Sequence, residues 1–208
     1  MILSIIIISI FYSILKPKKV LPIYQPAGVN AELVDSTMRY KKKYHTIADF
    51  ALVNQNGDTI TQEHYKDKIY VADFFFTTCK TICPVMTDHM REIQKATITD
   101  KDILLLSHSV TPEIDTVAQL KRYAKKKGVN VSKWNLVTGD KKQIYDLARK
   151  SYLAVKDDGL ANYGMVHTEN FMLIDKERQI RGYYDGTNPE DIEKLLDDIK
   201  ILKASYEE

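Results

Sequence analysis

Two cysteines are the residues of this sequence best suited to chemistry, and they lie close together in residues 78–84, TCKTICP. The residues before them, 71–76, are almost continuously apolar, which predicts a central strand buried on both faces. Pro84 is typical of the first turn of a helix, so we predict a helix over 84–96. A helix N-terminus stabilises a thiolate and lowers the pKa of a cysteine. The position therefore predicts reactive thiols, with buried structural cysteines as the alternative.

The spacing of Cys79 and Cys83 leaves two kinds of chemistry open. Thiols separated by three residues can approach closely enough to form a disulfide, or both can bind one soft metal ion. Redox pairs of the thioredoxin type usually have two intervening residues, and a zinc site of four thiolates would need a second pair, which the sequence lacks. A third ligand would therefore favour metal binding.

His167 is the histidine best placed to be that third ligand. It stands just before a predicted strand at 170–175, and in a thioredoxin-like body that loop lies beside the start of the cysteine-bearing helix. Two thiolates and one imidazole form a trigonal site that suits Cu(I), while the nitrogen also permits Cu(II). Met165 is a weaker candidate ligand, and Met86 and Met90, four residues apart, are interpreted as core positions. The other histidines are interpreted as structural or solvent-exposed: His45, His64, His89 and His108.

The elements that would position these residues alternate between strand-like and helix-like patterns, which predicts an α/β fold. A helix that ends at Lys127 is predicted to stop because Gly128 follows it. The predicted strands are 45–54, 59–61, 68–77, 102–110, 134–138, 170–175 and 179–184, and the predicted helices are 84–96, 115–127, 140–152 and 189–203.

The N-terminal region divides into an apolar segment and a basic one. Residues 1–15 carry no charged side chain, and as a helix they would span about 22 Å, less than the roughly 30 Å of a bilayer core. We predict an uncleaved hydrophobic anchor there, a basic tether with three prolines over 16–43, and a folded domain over 44–208. By the positive-inside rule, the lysines that follow the apolar segment would favour a cytoplasmic domain.

The composition indicates an ordinary globular protein. Hydrophobic residues make up 44% and charged residues 28% of the 208, with only 8 Gly and 6 Pro, which excludes collagen-like and wholly disordered chains. Residues 16–45 hold seven basic and two acidic side chains, so the rest of the chain has 23 basic and 26 acidic ones. A nucleic-acid-binding domain concentrates basic charge on its folded part, so we expect no nucleic-acid partner.

Three segments together resemble the SCO/SenC family of copper chaperones over about residues 44–203. They are residues 73–84 (DFFFTTCKTICP), residues 109–116 (SVTPEIDT), and His167 before residues 171–175 (FMLID). The resemblance implies a thioredoxin-like fold with a central mixed sheet flanked by helices and preceded by a membrane anchor. It also implies a domain exported to the periplasmic side, with a copper ion bound by Cys79, Cys83 and His167.

The function implied by the resemblance is that of a copper-binding assembly factor. Such a protein delivers copper to the CuA site of cytochrome c oxidase, or reduces the cysteines of that site. Its partner would be the CuA-bearing subunit or another copper protein. One departure from the family is Val166, where many relatives have Asp before the histidine; a carboxylate there could orient or tune the ligand.

Two other functions remain open. The first is a thiol-disulfide oxidoreductase that uses Cys79 and Cys83 without a metal. Residues 160–170 contain no proline, whereas thioredoxin-type reductases usually carry a cis-proline there, and this counts against it. The second is a peroxidase of similar fold, which would need an activating arginine; Arg91, eight residues beyond Cys83, is the nearest in sequence.

Overall fold

The computed structural model describes residues 19–29, 40, 44–155 and 168–207. Within them, seven strands and four α-helices alternate. The strands are β1 (Ala51–Asn54), β2 (Thr59–Thr61), β3 (Ile69–Phe75), β4 (Ile103–Ser109), β5 (Trp134–Thr138), β6 (Asn170–Ile174) and β7 (Ile180–Asp185). The helices are α1 (Ile82–Ala96), α2 (Val117–Lys127), α3 (Lys141–Asp146) and α4 (Pro189–Ala204).

The seven strands form one mixed sheet in the order β2-β1-β5-β4-β3-β6-β7. β3 is parallel to β4, and β4 to β5, whereas the β1–β2, β1–β5, β3–β6 and β6–β7 pairs are antiparallel. Every residue of β3 is buried, as the apolar run predicts for a strand covered on both faces. The predicted α/β architecture with a central mixed sheet is confirmed.

Helices cover both faces of the sheet and enclose two hydrophobic cores. Buried side chains of α1, α2 and α4 pack on one face against residues such as Val71 and Leu105. The other face is covered by α3, by the turn that follows it, and by residues from the segment 47–60. Met86 and Met90 of α1 are fully buried in the first of these cores, so their interpretation as core positions is confirmed.

Several element boundaries agree with the sequence prediction. β2 and β5 have the predicted limits, and α2 ends before Gly128, whose φ of 71° is the left-handed conformation that favours glycine at a helix end. α2 begins at Val117 rather than at residue 115, because the Thr116 side chain caps it by accepting a hydrogen bond from Gln119 N.

The predicted strand 45–54 and helix 140–152 are both wrong in part. Only Ala51–Asn54 is a strand, and α3 ends at Asp146, where a π-helical turn over Leu147–Ser151 continues the chain. The two deviations meet at Ser151. Its Oγ accepts a hydrogen bond from Ala48 N at 2.7 Å, and its carbonyl oxygen lies 2.7 Å from Nε2 of His45. Polar groups of the segment before β1 thus find partners outside the sheet.

Residues 19–29, which we call the N-terminal strap, lie along β7. Tyr24 forms an antiparallel bridge with Ile180, and Leu21 is buried in the core. The Arg181 guanidinium donates a hydrogen bond of 2.7 Å to the carbonyl of Leu21, and Lys19 pairs with Asp198 at 2.8 Å. Residues 19–29 of the predicted tether are therefore attached to the folded domain.

Among the described residues, no helix has both the length and the apolar character needed to cross a membrane. The predicted anchor, residues 1–15, lies outside the described residues.

Candidate thiol and metal centre

The two cysteines stand where β3 passes into α1. β3 ends at Phe75 and α1 begins at Ile82, two residues before the predicted start at Pro84. Pro84 still lies in the first turn, where backbone N–H groups have no partner within the helix. Because the helix begins earlier than predicted, Cys83 belongs to its first turn while Cys79 lies in the preceding loop.

Both thiols line one small pocket. Cys79 is partly exposed, Cys83 has only 3% of its surface exposed, and both are free thiols. The pocket has a volume of about 70 Å³, far below the roughly 300 Å³ or more that drug-sized ligands occupy. It therefore suits an ion or a few water molecules rather than an organic substrate. The other described residues that line it are Phe74, Phe76, Thr81, Ile82 and Thr168.

The surroundings of Cys79 stabilise its thiolate. Partial burial raises its pKa, but hydrogen bonds from the Thr81 hydroxyl, from the amides of Cys83 and Thr81, and from the Cys83 side chain outweigh that effect. Together they lower the pKa of Cys79 from 9.0 to about 7. The Thr81 hydroxyl oxygen lies 3.5 Å from the Cys79 sulfur. At neutral pH about half of the Cys79 population is therefore thiolate, as the helix start predicts.

Cys83 has the opposite character. Burial raises its pKa from 9.0 to about 12, a hydrogen bond to the backbone of Phe76 lowers it, and the neighbouring Cys79 raises it further. At neutral pH Cys83 is therefore a protonated thiol beneath an accessible thiolate. This asymmetry gives the pair one nucleophilic sulfur and one protected sulfur.

Sequence reasoning missed a buried carboxyl group close to the pair. Asp73 on β3 has 2% of its surface exposed, and its Oδ1 has no hydrogen-bond partner among the described residues. Burial raises the pKa of Asp73 to about 7, although a hydrogen bond with Ser107 lowers it. Its charge also raises the pKa of Cys83. A single acidic residue inside an otherwise apolar strand was the signal that could have identified it.

None of the four histidines that the structure describes lines the cysteine pocket. His108 is fully buried, stacks on Phe74 with ring centroids 4.8 Å apart, and has its pKa lowered to about 4 by burial. His89 Nδ1 lies 2.7 Å from the Gly186 carbonyl oxygen. Nδ1 of His64 accepts a hydrogen bond from the backbone of Thr61, and His45 contacts Ser151 as described above. The structural interpretation of His108 is confirmed.

The third predicted ligand, His167, lies outside the described residues, as do Val166 and Met165. Within the described ranges, no group of three or more His, Cys, Asp or Glu side chains could hold a metal ion. The two described thiols are a candidate pair of soft sulfur ligands, and His167 as the third ligand stays a prediction. Arg91, considered for a peroxidase, does not line the pocket and pairs with Asp88 at 3.5 Å.

Comparisons with known proteins agree with this fold. A family model described as SCO1/SenC matches residues 38–203. The SCO1 protein homolog of Bacillus subtilis (strain 168) is 30% identical over 158 residues, which cover 75% of this chain and 82% of the relative.

Two solved structures extend the comparison. BsSco, described as a member of the Sco family of cytochrome c oxidase assembly proteins with a disulfide switch, superposes with a TM-score of 0.65 at 31% identity over 75% of this chain and 92% of that one. Copper-bound ScoI of Bradyrhizobium japonicum superposes with a TM-score of 0.59 at 25% identity over 74% and 99%. From the family match, the thioredoxin-like fold and these relatives, the chain belongs to the SCO1/SenC family.

Proposed function

We propose that this protein is a copper-binding assembly factor in which Cys79, Cys83 and His167 bind one copper ion. The observation that carries the proposal is the small pocket that Cys79, Cys83 and Thr168 all line. His167 directly precedes Thr168 in the sequence, and consecutive Cα atoms are about 3.8 Å apart. Copper-bound ScoI of Bradyrhizobium japonicum supports copper as the metal.

The two thiols would take different parts in binding. Cys79 is accessible and already about half ionised at neutral pH, so it suits the first contact with an incoming copper ion. Cys83 must lose its proton when it binds, so copper binding should release protons. An exposed first sulfur also allows copper to pass to a partner by exchange of one thiolate for another. The oxidase-assembly description of BsSco supports the CuA site of cytochrome c oxidase as the destination.

A copper titration tests this proposal. The reduced protein is titrated with Cu(I) and, separately, Cu(II), in the wild type and in Cys79→Ser, Cys83→Ser and His167→Ala. We expect one copper per chain, loss of the Cu(II)-thiolate absorption in both cysteine variants, and weaker binding with altered absorption in His167→Ala. His89→Ala is the matched control, because His89 contacts Gly186 and does not line the pocket.

If His167→Ala and His89→Ala both bind copper as the wild type does, the three-ligand site is wrong. If the wild type retains no copper, copper binding itself is wrong.

A thiol-disulfide oxidoreductase is the second candidate, and the unequal pKa values of the two cysteines favour it. The Cys79 thiolate would attack a partner disulfide, forming a mixed disulfide and releasing one partner thiolate. Cys83, after losing its proton, would then attack the Cys79 sulfur and release the second partner thiol, leaving a Cys79–Cys83 disulfide. Turnover of a test disulfide by the copper-free protein, with no copper retained after dialysis, would favour this function.

We also propose that residues 1–15 anchor the protein in a membrane with its domain on the periplasmic side. The N-terminal strap supports a short connection between the anchor and the folded domain. Lys19 forms an ion pair with Asp198 of the domain, and only four residue steps, at most about 14 Å, separate Lys19 from residue 15. Protease digestion of intact and permeabilised spheroplasts tests the topology. Digestion in intact spheroplasts is the expected result; protection until permeabilisation would place the domain in the cytoplasm.

A further inference from the structure

A buried carboxylate ties the loop before Cys79 to the rest of the domain. Asp115 has none of its surface exposed, and its two oxygens accept four hydrogen bonds. Oδ2 accepts from the amide of Thr77 at 3.1 Å and from the hydroxyls of Ser109 and Thr111 at 2.6 and 3.1 Å. Oδ1 accepts from the hydroxyl of Thr77 at 2.5 Å. All four donors are uncharged, so the carboxylate is held by hydrogen bonds.

Two of these four hydrogen bonds come from Thr77, which lies two positions before Cys79. The Thr77 hydroxyl also accepts a hydrogen bond of 2.9 Å from Nε2 of Gln119 on α2. The other donors stand at the end of β4 and just after it. Asp115 therefore joins the exit of β3, the exit of β4 and the start of α2 at one point.

This arrangement gives a role to the segment SVTPEIDT, which contains Ser109, Thr111 and Asp115 and does not contribute to the cysteine pocket. We propose that Asp115 is a positioning residue that fixes the entry of the Cys79 loop and so keeps the Cys79 sulfur beside Cys83. The inference rests on the proposal that the two cysteines act as a pair. It concerns the loop that carries one sulfur and involves no contact of Asp115 with copper.

The chemistry of a carboxylate explains why this residue type is needed. Each carboxylate oxygen can accept more than one hydrogen bond, and Asp115 uses both. An asparagine could keep one oxygen as acceptor, but its NH₂ group would then face the Thr77 hydroxyl. That hydroxyl already accepts from Gln119 and would lose the acceptor for its own proton. Asp115→Asn thus loosens the loop at Thr77 while changing little in volume.

The test measures how readily Cys79 and Cys83 form a disulfide. In glutathione buffers, the reduced protein and one molecule of glutathione disulfide yield the Cys79–Cys83 disulfide and two molecules of reduced glutathione. A disulfide needs both sulfurs in a narrow geometry, so a loosened loop should form it less readily. We expect Asp115→Asn to lower the equilibrium constant by about tenfold, the factor expected when a buried group loses one hydrogen bond.

Asp198→Asn is the matched control, because Asp198 is also a buried aspartate but accepts hydrogen bonds from Lys19 and Tyr184, neither of which lines the cysteine pocket. We expect its disulfide constant to stay within about twofold of the wild type even though its unfolding free energy falls. Thr77→Val removes only the hydroxyl and keeps the amide hydrogen bond, so it should lower the constant by about threefold.

Three outcomes would overturn the inference. Asp115→Asn could be less stable yet have the wild-type disulfide constant, or Asp198→Asn could lower the constant as much as Asp115→Asn does. If Asp115→Asn does not fold, a wild-type constant in Thr77→Val decides against the inference. The assay contains no copper, so a failure of copper binding would refute the proposed metal site and leave this result intact.

Discussion

Replacing Thr81 with valine should change the reactivity of Cys79 in opposite directions at low and high pH. Among the hydrogen bonds that lower the pKa of Cys79 to about 7, the one from the Thr81 hydroxyl has the largest effect. The hydroxyl oxygen lies 3.5 Å from the Cys79 sulfur. Thr81 precedes α1 but makes no side-chain cap hydrogen bond, so Thr81→Val leaves the helix start unchanged. The effect on Cys79 can therefore be separated from an effect on folding.

The size of the change follows from the strength of that hydrogen bond. A hydrogen bond to a charged group contributes about 1.5–3 kcal/mol, and partial exposure of Cys79 reduces this to an increase of about one pKa unit. At pH 7 the thiolate fraction then falls from about one half to about one tenth. Each remaining thiolate is about threefold more nucleophilic, because nucleophilicity rises with pKa. The variant should react about twofold more slowly at pH 7 and about threefold faster at pH 9.

The assay is alkylation by iodoacetamide from pH 6 to pH 9, with Cys79 and Cys83 quantified separately by mass spectrometry. Thr97→Val is the matched control, because Thr97 stands at the other end of α1 and its hydroxyl donates to the Ile93 carbonyl. Its Cys79 profile should match that of the wild type. Profiles of Thr81→Val and wild type that coincide, or that differ by the same factor at every pH, would refute the reasoning.

Three further predictions concern stability and are measured by urea unfolding. Burial raises the pKa of Asp73 from 3.8 to about 7, so the contribution of this carboxyl group to stability is fully present below pH 3.8 and is lost as the pH rises through 7. The unfolding free energy of Asp73→Asn, relative to that of the wild type, should therefore increase by up to about 4 kcal/mol between pH 4 and pH 8. Parallel pH profiles of the two proteins would contradict this. Met90→Ala should lose about 3 kcal/mol of unfolding free energy, whereas Ile98→Ala, at a position 47% exposed, should lose less than about 0.5 kcal/mol. Gly128→Ala should lose about 1 kcal/mol from its positive φ alone, because the added Cβ would meet only Arg91 at an ordinary 3.8 Å; an unchanged midpoint would show that the left-handed end of α2 tolerates a side chain.

The parts of the fold that local chemistry determines could be predicted from the sequence. β3 follows from an apolar run, and the end of α2 follows from Gly128, the residue type that a left-handed helix end favours. The start of α1 differs by two residues because a proline in the first turn does not specify which position of that turn it occupies. That difference places Cys83 inside the helix, which sequence spacing alone could not determine.

The parts that depend on distant contacts could not be predicted. Residues 45–50 carry strand-like residues, yet their polar groups bond to Ser151, more than 100 positions away in the chain. The π-helical turn that presents Ser151 breaks a helical pattern that looks continuous in the sequence. Asp73 and Asp115 likewise acquire their importance from partners on other strands and loops. The sequence shows that each residue is an aspartate, but it does not show which groups surround the side chain in the fold.

The N-terminal strap has a consequence for any shortened form of this protein. β7 is the last strand of the sheet, and the strap covers its outer side through the Tyr24–Ile180 bridge and the buried Leu21. A fragment beginning at residue 44 would lose the backbone hydrogen bond from Tyr24 N to the Ile180 carbonyl and leave that side of the strand open to solvent and to other chains. Such an unprotected margin is a template for strand exchange and aggregation between copies. Fragments that start upstream of Lys19 should therefore stay monomeric at concentrations where shorter ones associate.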